Sequence, residues 1–316
     1  MSAYRLKDEL VLRGYSVSDV ILERTYQRYI SPNGKAILFK GAYYDYPFVS
    51  ALAKKVSKDK TLGYQFAQQF EVPVPVTVQT TDMHVASQFL ERYKQVIVKP
   101  LDRSGGKGLT LNIRTEDQLR EALPLAVHKG QAPLIQRQFI GQEIRLTVID
   151  GQVTSVILRQ KPQVVGDGWR TVQELIAAEN SSRRSLQFPL LAYPELDISN
   201  IPAHFLTDQQ ILVEGDILEL SQTTMIGMGA SLYGVTDVVH PSYRDVARRL
   251  AGELSPRFLV IDLMAEDYQK AASDDNYIFL EFNTSPALQM YTSLRDGDTP
   301  DVIGALADLM DRTANA

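Results

Sequence analysis

Phe279-Leu280-Glu281-Phe282-Asn283-Thr284-Ser285-Pro286 reads as a short apolar strand running into a turn, with a carboxylate and a carboxamide two residues apart. Alternation along a strand puts Glu281 and Asn283 on one face. A second such strand lies upstream, Val260-Ile261-Asp262-Leu263, in the right order to pair with the first. A carboxylate in a buried strand is costly unless it is paired or coordinated. Two readings follow. Asp262, Glu281 and Asn283 hold a hard divalent cation such as magnesium through oxygen ligands, or the carboxylates belong to a salt-bridge network.

Working towards the N-terminus, Val96-Ile97-Val98 is a buried strand with Lys99 at its end, followed by Ser104-Gly105-Gly106-Lys107-Gly108. Glycines let a backbone turn tightly and bring N–H groups close to phosphate oxygens, and Lys99 and Lys107 would add charge. Each piece also has a plainer reading, a solvated strand-end lysine and an ordinary hairpin turn. The loop is neither the Gly-x-x-x-x-Gly-Lys-Ser/Thr phosphate loop nor the Gly-x-Gly-x-x-Gly dinucleotide fingerprint. The segment Gln136-Arg137-Gln138-Phe139 suits an adenine edge through its backbone, with Ile135 and Phe139 offering apolar contact or serving as core. Glu143 either accepts from ribose hydroxyls or pairs with Arg145.

Around these stretches the chain alternates between helix and strand patterns. Residues 4–49 read as short strands, with a hairpin turning at Ser31-Pro32-Asn33-Gly34. Leu62, Phe66 and Phe70 give one apolar helix face over 58–70. Further helices are expected at about 82–93, at 116–127 with Thr115 as cap, at 171–180, at 242–254 and at 301–310. A hairpin is expected around Asp150-Gly151, and short strands around Glu214-Gly215-Asp216. Residues 181–210 read as an insert without clear periodicity. Met225, Met228, Tyr233 and Trp169 are read as core, or as the lining of a less polar pocket. Arg183-Arg184 is read as a solvated pair, or as a holder of a substrate carboxylate.

Bulk composition narrows the function classes. The 316 residues are 44% hydrophobic, enough for real cores. A net charge of -5, evenly mixed, argues against phosphate-backbone binding and so against a nucleic-acid partner. The absence of cysteine excludes disulfides and a thiol nucleophile. The four histidines are not spaced as a zinc cluster. No stretch is long and apolar enough to cross a bilayer, and the opening residues do not resemble a secretory signal, so no membrane partner and a cytoplasmic location are expected.

Together these stretches resemble the ATP-grasp superfamily, and within it the carboxylate–amine or peptide-ligase branch. They are nearest to the glutathione synthetase module of bifunctional bacterial enzymes and the ATP-grasp part of cyanophycin synthetase. The resemblance covers roughly 58–290 and extends to Val164-Val165-Gly166-Asp167-Gly168, Thr171-Val172-Gln173-Glu174-Leu175 and Val235-Thr236-Asp237-Val238-Val239-His240-Pro241. It implies an α+β (α/β) ATP-grasp fold with nucleotide held between two α+β lobes. The expected division is a partial N-terminal, β-containing domain over 1–57 and the ATP-grasp domain over 58–312, with a lid subdomain at 95–160 and the metal and substrate side at 161–312.

The resemblance also assigns roles. Lys60, or Lys58, takes the early nucleotide-lysine position and Lys99 the second. Ser104, Gly105, Gly106, Lys107 and Gly108 form the lid over the phosphates. Gln136, Arg137 and Phe139 lie in the adenine hinge, although an acidic residue is common at the position of Gln136. Glu143 is the ribose ligand, Asp262, Glu281 and Asn283 are the metal ligands, and Arg145 and Arg159 line the phosphate side. The implied cofactors are ATP and Mg2+, with Mn2+ as the substitute. The implied reaction is ADP-forming carbon–nitrogen ligation through an acyl phosphate, with Arg145, Arg159 and Lys107 as the catalytic cations. A carboxylate substrate and an amine co-substrate are implied, amino acids or a short peptide, and a homodimer is common among such enzymes. The alternative is an ATP-binding partner or maturation protein with weak or no ligase activity. Two departures favour keeping it. Ser221-Gln222-Thr223-Thr224 lacks the arginine and asparagine that related sequences carry before a glycine run, and Val260-Ile261 stands where some relatives have an arginine before the first metal aspartate.

Overall fold

Long runs of β-branched and aliphatic residues in the second half of the chain build its largest sheet, and everything else packs around it. The computed structural model describes residues 2–21, 25–40, 48–103, 106–186, 193–196, 211–221 and 223–315. The chain opens with helix α1 (Ser2–Leu12), where strands were expected. Leu6 and Leu10, four residues apart and fully buried, form its inward stripe. An antiparallel meander follows, β1 (Ser16–Ile21), β2 (Thr25–Ile30) and β3 (Ala36–Lys40). The expected hairpin is present, with Ile30 opposite Ala36. Arg13, just past α1, bonds Asp308 and Asp311 of the last helix, α8 (Val302–Asn315), at 2.6 and 2.7 Å.

Two short helices lead into the smaller lobe. Ser50 caps α2 (Ala51–Val56) and Asp59 caps α3 (Lys60–Gln69), each accepting from backbone N–H groups of the first turn. The lobe comprises β4 (Thr77–Gln79), α4 (Met83–Tyr93), β5 (Val96–Lys99), β6 (Thr110–Ile113), α5 (Glu116–Ala126) and β7 (Leu134–Arg137). Its antiparallel sheet runs β4-β7-β5-β6. Leu90, Val96, Val98, Leu119 and Ile135 fill a separate core between the sheet and its two helices. Thr115 caps α5 in a full capping box with Gln118.

The hairpin β8 (Gln142–Ile149) and β9 (Gln152–Gln160), read from sequence as part of the 95–160 subdomain, hydrogen-bonds into the large sheet instead. Every residue of β8 from Glu143 to Ile149 is buried, the pattern of a central strand covered on both faces. The sheet order is β14-β13-β8-β9-β12-β15, completed by β12 (Ser231–Gly234), β13 (Phe258–Ala265), β14 (Tyr277–Asn283) and the two-residue β15 (Asp296–Gly297). Helix α7 (Pro241–Leu254) packs on β8, β9 and β13. Strand β10 (Gln163–Val165) pairs with β11 (Ile217–Glu219) beside α6 (Val172–Ser185), which Thr171 caps with Glu174. Most of the expected insert, residues 187–192 and 197–210, lies outside the described residues. No helix among the described residues is long and apolar enough to cross a membrane.

Candidate active site

A cavity of about 790 Å³ opens between the four-stranded and six-stranded sheets. Its floor is laid by cross-strand register. Met264 on β13 lies between Glu143 on β8 and Ile278 on β14, and two residues along β13 Asp262 lies between Arg145 and Glu281. A two-residue step is about 7 Å, so the floor passes from apolar to acidic over that distance. The register of β13 and β14 shifts after Asp262, where Leu280 is the extra residue. A bulge of this kind lets consecutive residues face one side, and both Leu280 and Glu281 line the cavity.

Asp262 is not a free ligand. It is 1% exposed, and both its oxygens accept from Arg145, Oδ1 from Nε at 2.7 Å and Oδ2 from Nη2 at 2.6 Å. Arg145 is thus committed to Asp262 and is not among the residues lining the cavity, whose phosphate side is where sequence reasoning placed it. Burial works to lower the pKa of Arg145, but the charge and hydrogen bonds of Asp262 outweigh it and hold the guanidinium above its ordinary value. Tyr291 beside them is pushed up to about 12 by burial and bonds Thr147 at 2.7 Å. Glu143, for which pairing with Arg145 was one reading, pairs instead with Arg159 across the β8–β9 ladder and also accepts from Thr224 Oγ1.

The remaining donors converge. Lys60, the first residue of α3, donates to the carbonyl of Arg103 at 2.9 Å and lies 3.7 Å from Glu281 Oε2. Lys99 at the end of β5 stands 5.6 Å from the centre of the Tyr64 ring. Lys107 also lines the cavity, whereas Ser104 and Gly105 lie outside the described residues. Gly106 and Gly108 have φ of +65° and +78°, a region open to glycine. A Cβ on Gly106 would overlap Met225 Sδ, and one on Gly108 would lie 2.8 Å from the carbonyl of Leu125. Arg137 and Phe139 line the cavity, whereas Ile135 belongs to the lobe core. Gln136 is fully buried. Its Nε2 donates to Tyr64 and Thr77 at 3.1 and 2.8 Å, and its Oε1 has no partner among the described residues.

Asn283 shares the half-exposed face of β14 with Glu281, and its Oδ1 accepts from the N–H of Ser285 at 2.9 Å. No group of three or more His, Cys, Asp or Glu suited to a metal occurs among the described residues. Two carboxylates and an amide nevertheless suit magnesium, which keeps several waters and takes substrate phosphates as ligands. Each oxygen of Asp262 retains acceptor capacity beyond its bond to Arg145, and Glu281 is the more open of the pair. Among residues not singled out from sequence, Met264 and Lys161 follow recognised positions by two and were legible from alternation. Leu280 enters only through the bulge, and Thr224 had no local signal.

Residues 64–170 match the family model for the ATP-grasp domain of prokaryotic glutathione synthetase. The cyanophycin synthetase of Nostoc sp. is 26% identical over 267 residues, 82% of this chain and 30% of that protein. The glutathione biosynthesis bifunctional protein GshAB of Streptococcus thermophilus is 26% identical over 250 residues, 76% of this chain and 33% of that protein. The crystal structure of a bifunctional glutathione synthetase from Pasteurella multocida has the same fold, with a TM-score of 0.69 at 19% identity over 98% of this chain and 44% of that chain. In sequence over these residues, and in fold, the chain is similar to the ATP-grasp superfamily. It spans about a third of the length of the curated relatives it matches. Enzymes with the ATP-grasp fold generally use ATP and Mg2+, and the cavity between the two sheets is where this chain gathers its lysines and carboxylates.

Proposed function

We propose that the chain is an ATP-dependent carboxylate–amine ligase of the ADP-forming type, acting on an amino acid or short peptide. One observation carries the reading. Eight cationic side chains and four carboxylates line a single cavity with an apolar floor, in a chain whose net charge is -5. Such a wall attracts a polyanion with a hydrophobic end, the description of a nucleoside triphosphate. The base lies over Met264, Ile278 and Leu280, where the unpartnered Gln136 Oε1 is an acceptor in the wall. Glu143 serves the ribose. Lys60, Lys99, Lys107 and Arg159 neutralise the phosphates, and Asp262, Glu281 and Asn283 hold magnesium. In this reading the lobe over residues 77–137 is the lid, and its glycine loop shields the phosphates.

Magnesium, when bound, draws charge from the phosphoryl oxygens. A substrate carboxylate oxygen attacks the terminal phosphorus, ADP leaves, and the acyl phosphate is attacked by an amine with release of phosphate and a proton. The cations stabilise developing charge through position alone, and lid closure keeps water from the acyl phosphate. The closed Arg145–Asp262 pair favours a second reading, nucleotide binding with little ligation. The test is ADP release across paired amino acids and short peptides, with product mass. ADP formed only when both substrates are present, with an amide product, supports the ligase. Tight ATP binding without an amide product supports the second reading, and an absence of ATP binding sinks both.

A further inference from the structure

A second cavity, of about 350 Å³, adjoins the first, and Lys161 lines both. It is at the small end of ligand pockets. Its wall carries two arginines from distant parts of the chain. Arg183 on α6 donates from Nε to Glu179 at 2.7 Å, from Nη2 to Ser231 Oγ at 3.2 Å and from Nη1 to the carbonyl of Pro194 at 3.1 Å. Arg295, just before β15, pairs with both oxygens of the same Glu179 and donates to Ser231 Oγ at 3.1 Å. Two guanidiniums thus share one carboxylate, and their side chains are only 1% and 15% exposed. The neighbouring cations are matched, Lys161 by Glu219 at 2.9 Å and Arg170 by Asp167 at 2.5 Å. The wall of the small cavity therefore keeps one positive charge in excess. Burial lowers the pKa of Arg183, and the charge of Arg295 acts in the same direction. A bound anion would remove that cost.

The two arginines differ in what they can offer. All three nitrogen groups of Arg183 are committed to protein acceptors. Arg295 is the more open: its two Nη groups are taken up by Glu179, Ser231 and Ser182, and its Nε–H is the donor left to meet a carboxylate oxygen. Ser231 and Tyr233 stand in the same wall. We infer that this cavity binds a substrate carboxylate remote from the bond being made, with Arg295 touching it and Arg183 positioning Glu179 and Ser231. The ligand class is the α-carboxylate of a free amino acid or the terminal carboxylate of a short peptide. The inference rests on the ligase reading for its purpose, though not for its geometry.

The test uses the full chain labelled with [15N]arginine and saturated with Mg2+ and a non-hydrolysable ATP analogue. The Nε–Hε signal of Arg295 is followed during titration with glycine, L-aspartate, L-glutamate and glycylglycine, and with the corresponding α- or C-terminal amides. The free acid should move the signal saturably and its amide should not; free amino acid against dipeptide tells the two sources apart. Arg295→Lys should weaken binding of the acid about tenfold or more, the scale of a charged hydrogen bond, while nucleotide binding is retained. Acid and amide acting alike, or no acid moving the signal, overturns the inference. A purely structural Arg295 would leave the preference for acid over amide unchanged in the lysine variant. If Arg295→Lys does not fold, the wild-type comparison decides alone. Nucleotide affinity, measured on the same samples, tests the ligase reading separately.

Discussion

Replacing Arg145 by methionine asks whether Asp262 needs a cation supplied by the protein itself. The two side chains are 7% and 1% exposed and share hydrogen bonds of 2.7 and 2.6 Å. Removing one partner of such a pair costs about 3–5 kcal/mol, because a bare charge is left in the interior, whereas replacing both by apolar groups is close to neutral. Arg145→Met and Asp262→Leu should therefore each lose about 3–5 kcal/mol, and the double variant should recover most of it. Against a total stability of about 5–15 kcal/mol, either single change moves the urea midpoint far enough to read by far-ultraviolet circular dichroism. Magnesium adds a second axis. Wild-type Asp262 is already neutralised, and without nucleotide Mg2+ lacks its phosphate ligands, so wild-type stability should respond little to Mg2+ alone. In Arg145→Met, the unpaired Asp262 lies beside Glu281, and added Mg2+ should raise the midpoint. A loss below about 1 kcal/mol in the single variant, or the same Mg2+ response in both proteins, would refute the reasoning.

Glu281→Gln should abolish amide formation and weaken Mn2+ binding, read by electron paramagnetic resonance, with the urea midpoint kept near wild type; unchanged turnover would remove Glu281 from the metal site. Gly106→Ala should impair ADP release through the strain of a side chain at a φ of +65°, and Met225→Ala, which removes only a flexible neighbour that can swing aside, should not restore it. Glu174 is held below the ordinary carboxylate range by hydrogen bonds from Thr171. Its folded pKa is depressed, so its contribution is complete above the ordinary value near 4.5 and is lost as pH falls through the folded value. Glu174→Gln should flatten the stability curve on that acid limb, and an unchanged acid slope would count against the cap.

The site was legible where chemistry and local pattern coincide. Apolar runs interrupted by Asp262 and Glu281 revealed both the strands and their acidic face, and Thr115 and Thr171 marked helix starts through a capping geometry that is local to four residues. What required three dimensions was partner choice. Nothing in the spacing of Glu143, Arg145 and Arg159 tells which arginine takes which acid, since the answer depends on β13 lying on one side of β8 and β9 on the other. The bulge after Asp262 likewise brings Leu280 into the cavity against simple alternation. Helix α1 carries only the single pair Leu6 and Leu10 at helical spacing, a signal weaker than the strand-like residues that follow it. Arg183 and Arg184 are adjacent in sequence yet opposite in burial, 1% and 57% exposed, since α6 turns one inward and the other to solvent.

The polar side chains of β8 also fix how the strand sits. Glu143, Arg145 and Thr147 share one face, and each finds its partner there: Arg159, Asp262 and Tyr291. Ile144, Leu146 and Val148 occupy the other face and are fully buried. A slip of one residue would exchange the two faces. It would place an acid and an arginine in apolar packing and leave Asp262, Arg159 and Tyr291 facing aliphatic side chains. A purely apolar β8 would carry no such penalty, so the site residues themselves hold the register that assembles the cavity. A variant with Glu143→Leu, Arg145→Met, Thr147→Val, Arg159→Met and Asp262→Leu together should therefore stay folded while showing multiple amide signals for β8 and β13. A single, wild-type-like set would show that the turn at Asp150-Gly151 and the apolar face are sufficient to set the register.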